Sequence, residues 1–400
     1  MSGNNRAVAT SVQIVEAGRT SNLPPQVKFG ATARAYTMAA ALVAIWIVFE
    51  YTTHGVFLNA RNFSNLTRQM AVTGVLSVGM LMVIVIGEID LSVGSLVGLT
   101  GMAAALVQAN NAWGVTATLT IALVFGLIIG CAQGILTSYA RVPSFIVTLG
   151  GLLAWRGVTK AISAGQTIPI QLYNFNSIGQ SYLDKPIGWA FAALAVVAII
   201  VTQLRWQSSR KRLGLSTLSS TQLALRIGIP SVLSVALVAM LNAYEGIPVP
   251  VLLFLIVALA GAFVMSNTTW GRYMYAVGGN REAARLSGIN TRALTIATFG
   301  VLGLLAGLAG VIYTARVGSA SPDAGLLLEL DAIAACVIGG ASLMGGRGTI
   351  AGACMGALFM ASLDNGMSLK NVPDFTQDIV KGTILVAAVA LDMLSRKRNG

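Results

Sequence analysis

Uncharged apolar runs of about twenty residues recur along this chain, which is the length a helix needs to cross the hydrocarbon core of a bilayer. "TGVLSVGMLMVIVIG" and "VPVLLFLIVALAGAFVM" are typical, and neither holds a charged residue. A soluble helical core would set charged faces opposite its apolar stripes, and these runs have none. Composition agrees: 10% of the residues are charged, where soluble chains carry roughly a quarter. The expected fold class is an all-α, polytopic transmembrane helical bundle.

Twelve runs read as candidate spans, near 36–51, 69–87, 91–108, 114–139, 142–155, 187–204, 227–244, 248–269, 293–315, 332–346, 349–363 and 382–391. Run 142–155 is expected to continue through Arg156 to Lys160 with those side chains snorkelling outward. The last run is expected to start early enough to take in Lys381. The organisation is then an N-terminal tail over 1–35, a transmembrane domain over 36–394 and a C-terminal tail over 395–400. The first tail lacks the apolar core of a cleavable signal peptide.

Lysine and arginine placement sets the orientation. With both termini in the cytoplasm, inside segments hold 18 of the 26 basic residues, including Arg205, Arg210, Lys211 and Arg212 in one loop and Arg281, Arg285 and Arg292 in the next. The opposite orientation would invert the positive-inside bias. The net charge of +12 is thereby topological, and no nucleic-acid partner is expected.

Catalysis is poorly supported. The three cysteines, Cys131, Cys336 and Cys354, lie inside apolar runs and read as small buried hydrophobes. With a lone histidine, His54, neither a metal site nor a Ser-His-Asp or Cys-His arrangement is expected. No lysine follows a glycine, so the chain lacks the phosphate-cradling P-loop and cannot hydrolyse ATP by that route. No cofactor and no enzymatic activity are expected, which leaves transport.

One polar segment interrupts the apolar pattern on the cytoplasmic side. In "VGGNREAARLSGIN" (277–290), Asn280 is placed to cap a short helix, Glu282 to complement its dipole and Gly288 to stop it. Ala283, Ala284 and Leu286 give that helix a small apolar face. Membrane-surface helices favour Trp, Phe and Leu with Lys; this segment is alanine-rich and suits insertion into a partner's groove.

Glycines repeat at four-residue spacing in Gly94-Gly98, Gly126-Gly130-Gly134, Gly303-Gly307 and Gly352-Gly356, a close-packing signal for helices in lipid. Two E-x-D motifs, Glu88 with Asp90 and Glu329 with Asp331, each precede a run rich in small residues, and the two runs point in opposite directions. That is the mark of inverted repeats. These four carboxylates either line or gate a path, or cap helix starts; capping is the simpler reading. The runs 332–346 and 349–363 are short and glycine-broken, a pointer to a translocation path. Asp364 and Asn365 at the outer end of that hairpin would bind a hydroxylated solute or meet water. Trp155 and Arg156 fit two readings, contact with a sugar or an interfacial aromatic beside a snorkelling cation, and the second is expected.

Together "GEIDLSVGSLVGLTG", "RVPSFIVTLGGLLAWRGV", "GRYMYAVGGNREAARLSGIN", "ELDAIAACVIGGASLMGGRGTIAGA" and "MASLDNGMSL" resemble the branched-chain-type permeases of bacterial monosaccharide ABC importers, from about residue 36 to 394. Two additional spans between about 187 and 245, with "IGQSYL", "GIPVPVLL" and "DNGMS", are similar to the xylose branch. The resemblance implies a homodimeric inner-membrane subunit for a monosaccharide. It also implies a cytoplasmic ABC ATPase subunit and a periplasmic sugar-binding protein as partners. Carried residue by residue, it puts the coupling helix to the ATPase on Glu282, Ala283, Ala284, Arg285 and Gly288. An ion-coupled twelve-span secondary sugar transporter is the main rival; it would bury titratable groups at mid-membrane, and no convincing one is read here. A non-transporting scaffold would not need the charged docking helix.

Overall fold

The computed structural model describes residues 29–397 apart from residue 112. Among these residues the chain is helical, with a single two-residue antiparallel strand pair, β1 (Ile168–Pro169) and β2 (Ser319–Ala320). In chain order the helices are α1 (Phe29–Thr52), α2 (Ala60–Val85), α3 (Val93–Asn111), α4 (Val115–Ser138), α5 (Ser144–Ile162), α6 (Tyr173–Gln180), α7 (Lys185–Arg212), α8 (Ser220–Asn242) and α9 (Val249–Asn267). They continue with α10 (Thr269–Gly279), α11 (Arg281–Leu286), α12 (Thr291–Val317), α13 (Leu328–Ile338), α14 (Ile350–Leu369) and α15 (Asp374–Lys397).

Each of the twelve apolar runs overlaps a helix. Among the described residues seven helices are long and apolar enough to cross a membrane: α2, α4, α5, α7, α8, α9 and α12. The chain is an all-α polytopic membrane protein. Of the expected tails, 1–28 and 398–400 lie outside the described residues, while 29–35 opens α1 and 395–397 closes α15.

α2 and α12 form the buried spine. Leu76, Met80, Leu81 and Ile84 of α2 share one core with Phe299, Leu302 and Ala306 of α12 and with Ala332 and Cys336 of α13. The pair α7 and α8, which carries the basic loop, sits at the margin. Its only core is a small cluster of Ala192, Val238 and Leu241 with Phe63 and Ile247. Leu194, Val197, Val232 and Leu233 face outward, an arrangement that only a lipid surround makes inexpensive.

All four glycine repeats mark close backbone approaches. α4 crosses α12 where Gly126 and Gly130 meet Gly303, and Gly307 meets Ala122; a Cβ on any of them would strike opposing backbone. Gly352 and Gly356 of α14 pack in the same way on Gly339 and Ala335. Without a hydrophobic drive between helices in lipid, such contacts gain their energy from dispersion at short range.

The third approach is topologically informative. Gly94, at the start of α3, meets Gly325 and Glu329, and Gly98 meets Ala324. α3 runs alongside the end of α12, with Gly101 against Thr314, whereas α13 returns from α12 toward the start of α14. The helices that follow the two E-x-D motifs therefore start head to head and leave in opposite directions.

Two sequence expectations need correction. The run read as 332–346 is helical only to Ile338, and α13 has 11 residues, about 16 Å of rise, too short to cross alone. Gly340, Gly345 and Gly346 then take positive φ values, which an L side chain resists, and the chain folds into a compact loop. The following helix runs on to Leu369, so Asp364 and Asn365 lie within it rather than at its end.

Candidate functional site

α11 is a six-residue helix at one end of the bundle, built as its residues dictate. The Asn280 side-chain carbonyl accepts from the Ala283 N–H at 2.9 Å. Glu282 lies in the first turn and forms an exposed pair with Arg285 at 2.8 Å, worth little by itself. Gly288 at φ +86° closes the helix: its N–H donates to Arg285 O and that of Ile289 to Ala284 O. This is a Schellman stop.

The apolar face expected from Ala283, Ala284 and Leu286 is divided. Ala284 is buried against the bundle, while Ala283 is exposed and Leu286 is 77% exposed. A leucine held that far out on a capped turn is a knob without a hole among the described residues. The platform beneath it is firm. A Cβ on Gly278 would strike Val85 O, the Gly346 N–H donates to Val85 O at 2.9 Å, and the Tyr275 hydroxyl donates to Gly348 O at 2.8 Å. The ends of α2 and α10 and the 339–349 loop thus meet under α11.

A connection invisible in the sequence starts here. Arg281 forms an ion pair with Glu88 and also donates to Thr295 Oγ1 at 3.0 Å. Glu88 belongs to the non-helical strap 86–92 between α2 and α3, itself held by buried polar bonds. Asp90 Oδ1 accepts from both the N–H and the hydroxyl of Ser92 at 2.7 Å. Gln133 of α4 donates to Ser92 Oγ at 2.7 Å. Ile89 bonds Ser144 and Thr148 of α5. Asp90 thus organises the approach to α3. Glu88 does not cap; it joins the strap to α11. Spacing gave no hint of this, because 193 residues separate the partners.

The remaining candidates fall into separate places. Lys381 of α15 sits between Asp331 of α13 at 3.3 Å and Asp364 of α14 at 2.8 Å, the side chains 19%, 7% and 29% exposed respectively. The spans therefore do bury titratable groups, contrary to the sequence expectation; a lysine 17 and 50 residues away supplies the countercharge to both carboxylates. Asn365 is buried and exchanges bonds with Asn62 of α2 at 2.8 and 3.1 Å, so it meets neither solvent nor an open path. Glu329 is buried in the first turn of α13. The helix containing Trp155 and Arg156 does extend to Ile162 as expected. Arg156 Nη2 and the Trp155 indole nitrogen, however, are buried within the protein instead of snorkelling outward.

A cavity of about 550 Å³ opens at the end of the bundle opposite α11, between the start of α2 and the α8–α9 connection. Asn59, Asn62, Asn65, Arg68, Tyr182 and Tyr244 are among its walls. Arg68 is anchored by donating to Gly179 O and Tyr182 Oη. Among the described residues no group of His, Cys, Asp and Glu is arranged to hold a metal ion.

Residues 62–389 match the family model described as branched-chain amino acid transport system / permease component. The xylose transport system permease protein of Escherichia coli K12 is 47% identical over 364 residues, 91% of this chain and 93% of that protein. Its namesake in Haemophilus influenzae is 45% identical, covering 91% and 97%. The ribose import permease protein of Escherichia coli K12 is 35% identical, covering 89% and 92%. No solved structure matches the chain.

Proposed function

The chain belongs to the branched-chain amino acid transport system permease component family, and from that premise we propose that it is the membrane-spanning subunit of an ATP-driven monosaccharide importer. The sugar is D-xylose, supported by the two xylose permease relatives that align over nine-tenths of the chain. Two copies form the pore in the inner membrane, with the α11 end in the cytoplasm. A periplasmic sugar-binding protein delivers at the opposite end, and a cytoplasmic ABC ATPase subunit docks on α11.

The observation that carries the ATP-driven part is α11: an exposed Leu286 on a capped, rigid turn, wired through Arg281 to the strap that leads into α3. A groove on the ATPase that closes over Leu286, Ala283 and Glu282 can push or pull this turn. The Arg281–Glu88 pair carries the displacement into the strap, and the head-to-head start of α3 and α13 shifts with it. Alternating access follows if the ATPase binds the two permease states with different affinity.

The test is reconstitution in vesicles with and without the ATPase subunit. Uptake of D-xylose that requires both ATP and the ATPase supports the reading, and Leu286→Glu should abolish capture of the ATPase while leaving the chain folded. Ion coupling has one observation behind it, the buried Lys381–Asp331–Asp364 group. Uptake by this chain alone, driven by a proton or sodium gradient, would establish ion coupling and overturn the ATP-driven reading.

A further inference from the structure

The α7–α8 hairpin is attached to the bundle at one end and stands clear of it at the other. Its buried residues are Gly188 and Ala192 on α7 and Val238, Leu241 and Asn242 on α8. All five lie toward the cavity end, where the Asn242 side chain donates to Lys185 O at 3.1 Å. The tip, residues 205–226, is on the α11 side and has no buried residue. Five of its side chains are cationic: Arg205, Arg210, Lys211, Arg212 and Arg226. No acidic residue occurs between Asp184 and Glu245, and among the described residues none of the five cations forms an ion pair.

The positive-inside bias asks for cations at this end but not for their arrangement. Arg210 of α7 and Arg226 of α8 both lie over the Trp206 ring, 4.8 and 5.2 Å from its centre. Arg210 also donates through Nε to Ser216 O at 2.8 Å and through Nη2 to Ser216 Oγ at 3.3 Å. One indole thus gathers two guanidiniums from different helices, although their like charges repel. The helix fixes their depth. α7 has 28 residues, about 42 Å of rise against a hydrocarbon core of about 30 Å. Trp189 and Trp206, both exposed, lie about 26 Å apart along it, a separation that suits the two interfacial aromatic belts. The tip cations therefore sit at headgroup level, with Leu204, Leu213, Leu215 and Leu225 exposed beside them.

Going beyond the transport reading, we propose that this tip binds anionic phospholipid of the leaflet on the α11 side. The phosphodiester oxygens bridge Arg210 and Arg226, while Arg205, Lys211 and Arg212 add to the local positive field. Arginine suits this ligand because its planar fork meets phosphate oxygens in pairs, and basic pockets between spanning helices hold anionic headgroups. The acyl chains lie along the outward faces of the hairpin, where Leu204 and Ile229 are exposed. A zwitterionic lipid brings its own cation to the same place and is held less well. Free phosphate would leave the leucines uncovered, and the depth set by Trp206 places the cations among lipid headgroups. Bound lipid then steadies the end of the hairpin that the bundle leaves unsupported.

The experiment titrates the delipidated full chain in neutral detergent with dioleoyl phosphatidylglycerol or dioleoyl phosphatidylcholine and reads bound lipid by native mass spectrometry. Wild type should bind phosphatidylglycerol about a hundredfold more tightly. Each cation is worth about fivefold, so Arg205→Gln, Arg210→Gln and Arg226→Gln together should remove most of that preference. Trp206→Leu changes no charge and should weaken phosphatidylglycerol binding about fivefold by releasing both guanidiniums. The charge-matched triple of Arg141→Gln, Arg272→Gln and Arg347→Gln, exposed arginines elsewhere on the α11 side, should bind as wild type does. All variants should melt as wild type does, since none alters a buried residue. Equal binding of the two lipids by wild type, or a preference retained by the tip triple, would overturn the proposal. So would an equal loss in the charge-matched triple, or no loss in Trp206→Leu, because either reduces the site to diffuse charge. Displacement of phosphatidylglycerol by millimolar inorganic phosphate would assign the tip to a soluble anion and overturn it too.

Discussion

Lys381→Met tests whether the packing of α13, α14 and α15 depends on one buried charge. Its ammonium lies 3.3 Å from Asp331 and 2.8 Å from Asp364. At an effective dielectric of about 20, these separations correspond to gross attractions of about 5 and 6 kcal/mol. Dehydration of three charges offsets most of that, but removing one member of a buried pair still costs about 3–5 kcal/mol, because the carboxylates left behind stay buried without a countercharge. At roughly 2 °C per kcal/mol for a chain of this size, the melting temperature should fall by about 6–10 °C. Methionine keeps the apolar stem, so lost packing contributes little. The chain supplies its own reporter: Cys336, in α13, is completely buried and becomes available to a thiol-reactive fluorophore only when that helix is released. Adding Asp331→Asn and Asp364→Asn should restore most of the stability, since no charge then has to be buried. Wild-type melting of Lys381→Met, or a triple variant no better than the single one, would refute the reasoning.

Three further outcomes are expected. Gly303→Ala should destabilise by about 1–3 kcal/mol through overpacking against the α4 backbone, whereas Gly150→Ala, with open space at its Cβ, should be neutral or mildly stabilising; thermal melts of both report the difference. Glu88→Gln and Arg281→Gln should each lower sugar moved per ATP hydrolysed, and the double variant should be no worse than either, since both break one joint; additive losses in vesicle uptake would contradict this. Asn62→Ala should cost about 1–3 kcal/mol by leaving the Asn365 carboxamide without its reciprocal partner, visible as a lower melting temperature.

Much of this molecule was written in its one-dimensional pattern. Apolar runs placed every main helix, because a backbone in lipid has to satisfy its hydrogen bonds within the segment. The α11 turn was equally local: Asn280, Glu282 and Gly288 act within four residues of the groups they bond or stop. Glycine repeats announced close crossings, though not which helices meet; that Gly126 lies on Gly303 depends on how the chain returns after 177 residues.

What only the tertiary structure decided is the pairing of distant polar groups. Glu88 with Arg281, Asp331 and Asp364 with Lys381, and Asn62 with Asn365 join residues from 17 to 303 positions apart. Sequence spacing has no period for such pairs. The two E-x-D motifs illustrate the divide. Their likeness suggested a repeat, yet their four carboxylates have four different fates: Glu88 ties to the α11 turn, Asp90 organises the strap, Asp331 faces a lysine and Glu329 is buried with one oxygen lacking a hydrogen-bond partner. A carboxylate's role is set by what the fold brings within about 3 Å of it, and that distance is a property of the packed bundle, never of the string.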